Sequence, residues 1–215
     1  MSETIIGTLI GAVISVAVTV LTLYSNAYIE KNKIKAEKKQ KDAEIKREKL
    51  TDVYIELASI LNAFPKLSPN NTLENIEYSP HYSMESFDSI ITILNYQIGD
   101  YKRLSENKKS NLDQKSYNET QISNREYAIK RIITIKEEYF SACEKYKNFC
   151  KTKKQILDLY SGQDVRDNIV HFEAIIRNIF VSGHDLKNAY DPSNNEIEVA
   201  CRNVINSMRK DIGLN

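Results

Sequence analysis

"VRDNIVHFEAIIRNIFVSGH", Val165 to His184, sets the period against which the rest of the chain is read. Val165, Ile169, Phe172, Ile176 and Ile179 recur at three and four residues. At about 3.6 residues per turn this spacing lays the five side chains along one stripe, the pattern of a helix facing the core of a bundle. His171 falls on one flank of the stripe, and Arg166, Arg177 and His184 fall on the other. Glu173 precedes Arg177 by four residues, the spacing of a favourable surface ion pair.

The same period extends in both directions. Leu50, Val53, Leu57, Ile60 and Phe64 give an apolar face that Pro65 ends, and "PKLSPNNTLENIEYSPHYS" reads as a loop. A second helix is expected from about Met84 to Lys109, with Phe87, Ile90, Ile91, Leu94, Ile98 and Tyr101 inward. A third, from near Tyr117 to just before Gly162, would bury Ile122, Ile129, Ile132, Ile133, Tyr139, Cys143, Tyr146, Cys150, Ile156 and Leu159. The fourth starts near Asp164. The fifth follows "DPSNNE" and uses Ile197, Ala200, Val204, Met208 and Ile212. Strand-like alternation is absent, so the fold class is all-α, with residues 50–215 forming an antiparallel helical bundle in the cytosol.

Composition agrees with helix. The 215 residues include only six Gly and four Pro, too few for a fold built on many turns. Net charge is +1, which selects no partner. Cys143, Cys150 and Cys201 show no C-x-x-C pairing and read as packing residues in a reducing compartment. No metal site or cofactor is expected. A phosphate-binding loop, an H-E-x-x-H motif and a G-x-S-x-G motif are all missing from the sequence, which argues against common nucleotide hydrolases, zinc proteases and esterases.

Ile5 to Tyr24, "IIGTLIGAVISVAVTVLTLY", is a run of twenty residues without a charge. As a helix it would reach roughly 30 Å, the thickness of a bilayer core. The leading "MSET" lacks the basic residues of a signal peptide, so an uncleaved single-pass anchor is expected. After it, residues 30–49 carry nine Lys/Arg and five Asp/Glu, a basic helical stalk spanning residues 25–49. The positive-inside rule then places residues 1–4 outside a bacterial inner membrane and the bundle in the cytoplasm. Lys31 to Lys41 would meet anionic lipid headgroups. Gly7, Gly11, Ser15 and Thr19, spaced by four, form a small-residue stripe through which two such helices would pack into a homo-oligomer.

Within the opening stretch, "RDNIVHF" (Arg166 to Phe172) resembles the R-x(4–6)-H signature of the HEPN superfamily. Asp167 supplies the polar residue that often follows the arginine, and Ile169 and Val170 the aliphatic residues before the histidine. "RNIFVSGH" matches the bare spacing too, although Gly183 sits where the helix would have to continue. The resemblance implies an all-α bundle with the motif on a late helix. In its catalytic members it implies a composite site from two subunits that cleaves RNA without a metal. His171 would then handle the proton of the attacking 2′-hydroxyl or of the leaving oxygen, and Arg166 would hold the scissile phosphate.

"EKYKNFCKTKK" carries Lys145, Lys147, Lys151, Lys153 and Lys154, with Tyr146 and Phe149 between them. Basic residues interleaved with aromatics suit single-stranded RNA, which they hold by phosphate contact and base stacking. Two functions are therefore expected. One is a membrane-anchored bundle that self-associates and binds a protein partner, by analogy a sensor or effector in bacterial stress or phage defence. The other is a tethered HEPN-like endoribonuclease.

Overall fold

The computed structural model describes residues 3–107 and 111–214, with side chains from Val18 onward. Among these residues there are six α-helices and no strand: α1 Glu3–Asn62, α2 Pro69–Leu73, α3 Phe87–Glu106, α4 Leu112–Tyr160, α5 Gln163–Phe180 and α6 Glu196–Asp211. The chain divides into two units, Met1–Glu48 and Lys49–Asn215.

In the first unit the described side chains from Val18 to Ile45 are all exposed, Ile34 and Ile45 included. Here one expectation is corrected. Among the described residues no helix is long and apolar enough to cross a membrane. Within the uncharged run the described side chains are those of Val18–Tyr24, about 10 Å of helix against the roughly 30 Å that a bilayer core requires. The side chains of residues 1–17 lie outside the described ones, and Gly7, Gly11 and Ser15 of the small-residue stripe lie there with them, while Thr19 is exposed. The transmembrane helix, the single-pass inner-membrane placement and the outside-to-cytoplasm orientation are withdrawn on this finding. The lipid contacts expected of Lys31–Lys41 rested on the same span.

The second unit buries two apolar clusters. The larger joins Leu50–Phe64 at the end of α1, the second half of α4, and the inner faces of α5 and α6. The smaller joins Leu73, Ile76 and Tyr82 to the first half of α3 and to Ala128 and Ile132 of α4. All five residues of the α5 stripe are buried, and Ile197, Ala200, Val204 and Met208 of α6 pack against the same cluster.

Helix α4 serves both clusters and differs most from its expected form. It starts at Leu112, five residues early, because Asn111 and Gln114 form a capping box in which each side chain accepts from the other's backbone N–H. Its buried positions Arg125, Ala128, Ile132, Ile135, Ala142 and Phe149 follow a three-four spacing that passes through alanines and an arginine. Ile133 and Leu159, expected inside, lie outside that seam and are exposed. The loop after α1 holds the short helix α2, whose Ser68 and Asn71 make another capping box, with Pro69 at its first position.

Candidate functional site

Arg125 is fully buried and forms no ion pair among the described residues. It donates from Nε to Gln97 Oε1 (2.8 Å), from Nη1 to the carbonyl and side chain of Gln121 (3.1 and 2.6 Å), and from Nη2 to the Glu77 carbonyl (2.8 Å). Its guanidinium also lies 4.6 Å from the centre of the Tyr101 ring. This is a clamp tying α3, α4 and the segment after α2, with four of its five N–H donors used inside the fold.

Arg166 and His171 are five residues apart on α5, so they leave the helix about 140° apart. Arg166 donates to the Asp158 carbonyl at 3.0 Å and to Gln163 Oε1 at 2.9 Å, which holds it against the end of α4. His171 is exposed and borders a different, shallow depression with Ile175, Lys187, Asn188 and Asn194. Within one chain the two side chains are not brought together. His184 is exposed beyond the end of α5, where Gly183 adopts φ +78°. Of the lysine run, Lys145, Lys147, Lys151 and Lys154 are exposed and Lys153 is half-buried. The interleaved aromatics face the other way: Phe149 is buried and Tyr146 donates to Glu173 on α5. Base stacking on either ring is therefore not offered at this surface.

What the helices assemble instead is a cavity of about 330 Å³ between the end of α1, the middle of α4 and α5. This falls at the small end of the range for ligand pockets, about 300–1,000 Å³. Leu61 and Phe64 form one wall, Tyr139, Cys143 and Tyr146 the second, and Phe172, Ile176 and Val181 the third, with Glu173 and Arg177 at the edge. The aromatic walls are braced: Phe64 meets Phe172 edge-on at 5.5 Å, and Tyr139 stacks on Phe180 at 5.2 Å.

The polar groups of this cavity are neutral apart from its charged edge. Burial pushes the Cys143 thiol up, so it is a poor source of thiolate. Burial, followed by contact with Cys143, raises the Tyr139 phenol well above its ordinary value. Burial, followed by the hydrogen bond to Glu173, does the same for Tyr146. The surface ion pair expected between Glu173 and Arg177 is not among the ion pairs of the described residues. Glu173 turns to Tyr146 instead, and the Arg177 guanidinium has no hydrogen-bond or ion-pair partner among the described residues. No group of three His, Cys, Asp or Glu able to hold a metal ion occurs among them either.

Sequence reading placed Tyr139, Cys143 and Tyr146 in the core and gave no sign of a space between them. Comparison with family models, curated proteins and solved structures finds no match for the chain.

Proposed function

We propose that the chain is a binding protein whose bundle, residues 49–215, takes an apolar group into the cavity between α1, α4 and α5, and which associates with itself. What supports the first part is the cavity itself: three braced aromatic and aliphatic walls, with polar groups gathered at one edge. Concave apolar sites with a few convergent polar groups are the usual form of a recognition site. Its un-ionised thiol and phenols favour holding a ligand over transforming one.

Self-association draws support from the first unit. Leu21, Tyr24 and Tyr28 recur at three and four residues along α1, and each is more than 60% exposed. An apolar stripe of this kind is a surface for another helix.

The test of the cavity is a ligand-detected NMR screen of small apolar compounds against the full chain. Cys143→Phe and Val181→Phe, which fill the space from two walls, should abolish the hits. Val170→Phe, on an exposed part of α5, should retain them. Hits that survive both filling variants would overturn the reading.

The exposure of His171 favours a second reading, the HEPN-like ribonuclease. Because Arg166 and His171 diverge within one chain, that activity would need a second subunit to complete the site. Induced expression of wild type, Arg166→Ala and His171→Ala, with total RNA run on a gel, tests it. Fragmentation lost in both variants supports the nuclease, and intact RNA in all three removes it.

A further inference from the structure

The edge of the cavity carries an asymmetry in charge. Glu173 and Arg177 lie one turn apart on α5 and border the same space. Glu173 already accepts the Tyr146 hydroxyl, so part of its charge is answered within the wall. Arg177 is answered by no hydrogen bond or ion pair among the described residues, although its charge is felt at the Tyr139 hydroxyl across the cavity. Guanidinium presents a planar fork that matches a carboxylate with two parallel hydrogen bonds. Beside it the lining is almost entirely aliphatic and aromatic.

Building on the proposed cavity site, we infer that its occupant is a small apolar carboxylate, its hydrocarbon body inside and its charged end on Arg177. Burial of the hydrocarbon body favours binding, and it does so equally for acid and alcohol. The head group carries the selectivity. An unpaired cation gains a charge-assisted bond from a carboxylate and much less from a hydroxyl.

The experiment titrates the full chain with octanoate and with octan-1-ol, followed by calorimetry or protein NMR. Wild type should bind octanoate about tenfold more tightly than the alcohol, as expected of one added charge-assisted bond. Arg177→Gln, at an exposed position, should bring octanoate down to about the level of the alcohol, whose own affinity should fall much less. Added salt should narrow the difference in wild type. Equal binding of acid and alcohol, an unchanged octanoate affinity in Arg177→Gln, or no octanoate binding would each overturn the inference. The cavity reading is separated by Cys143→Phe and Val181→Phe. If both probes bind equally and both are lost on filling, the cavity site stands and its anion preference falls. If octanoate survives filling, both fall.

Discussion

The Tyr54 hydroxyl donates to Asp211 Oδ2 at 2.6 Å across 157 positions of sequence, and the same oxygen accepts the Gly162 N–H at 3.2 Å. One carboxylate at the end of α6 thus ties α1 to the short link between α4 and α5. A Cβ at Gly162 would lie 2.4 Å from Asp211 Oδ1. Tyr54→Phe should cost about 1–2 kcal/mol, and Gly162→Ala should displace the same carboxylate. The two should be less than additive, because each removes the geometry the other depends on. Urea unfolding of both single variants and the double variant checks this. Full additivity would show that the two contacts are independent.

The alkaline limb of stability should be steep. Tyr54, Tyr139 and Tyr146 all have phenols raised by burial, Tyr54 and Tyr146 further by hydrogen bonds to carboxylates. A raised folded pKa contributes stability that is complete below the unfolded value, about 10 for a phenol, and is lost as pH rises toward the folded value. Above pH about 10 the unfolded chain binds fewer protons than the folded one, so stability falls. Melting temperature should therefore hold below that pH and drop beyond it, less in Tyr54→Phe than in wild type. A flat profile to pH 11 would contradict the burial of these groups.

Arg125 should be among the costliest positions to change. Arg125→Ala would strand the Glu77 carbonyl and the side chains of Gln97 and Gln121, and would leave a void beside Tyr101. A loss of about 3 kcal/mol is expected. Arg125→Lys should recover little of it, since an ammonium cannot reproduce the fork. Exposed Arg103→Ala should stay within about 0.5 kcal/mol.

Gly183 is a second backbone lock. It lies at φ +78°, where a Cβ would meet the Tyr82 carbonyl oxygen at 1.7 Å. Asn70 fixes the same place, donating to the Gly183 carbonyl and accepting from the Tyr82 N–H at 2.7 Å. Gly183→Ala should cost about 3 kcal/mol, through strain and the clash together. A variant as stable as wild type would show that this loop adapts.

These positions show what the sequence could and could not reveal. The face of α5 was legible because Val165, Ile169, Phe172, Ile176 and Ile179 recur at helical spacing, and that of α6 because Ile197, Ala200, Val204 and Met208 do. The seam of α4 was legible only in part: Ile132 is buried and Ile129, Tyr139, Cys143, Tyr146, Cys150 and Ile156 pack against the two clusters, but Arg125, Ala128 and Ala142 carry no large-aliphatic signal and Ile133 is outward. Its start was written in Asn111 and Gln114, a capping pair that carries no hydrophobic signal. The motif on α5 was visible as letters, and the divergence of its two side chains was already legible in their places on opposite flanks of the helical stripe. The cavity had no sequence signature at all. It is a gap left by three packed helices, and the residues around it are ordinary core types.

The most direct measurement is a methyl NMR map of the full chain, titrated with a compound taken from the small-molecule screen. The methyls of Leu61, Ile176 and Val181, which border the cavity, should shift first and saturably, and Cys143→Phe should suppress those shifts. Shifts centred on other methyls, or unchanged in the filled variant, would contradict a binding site between α1, α4 and α5.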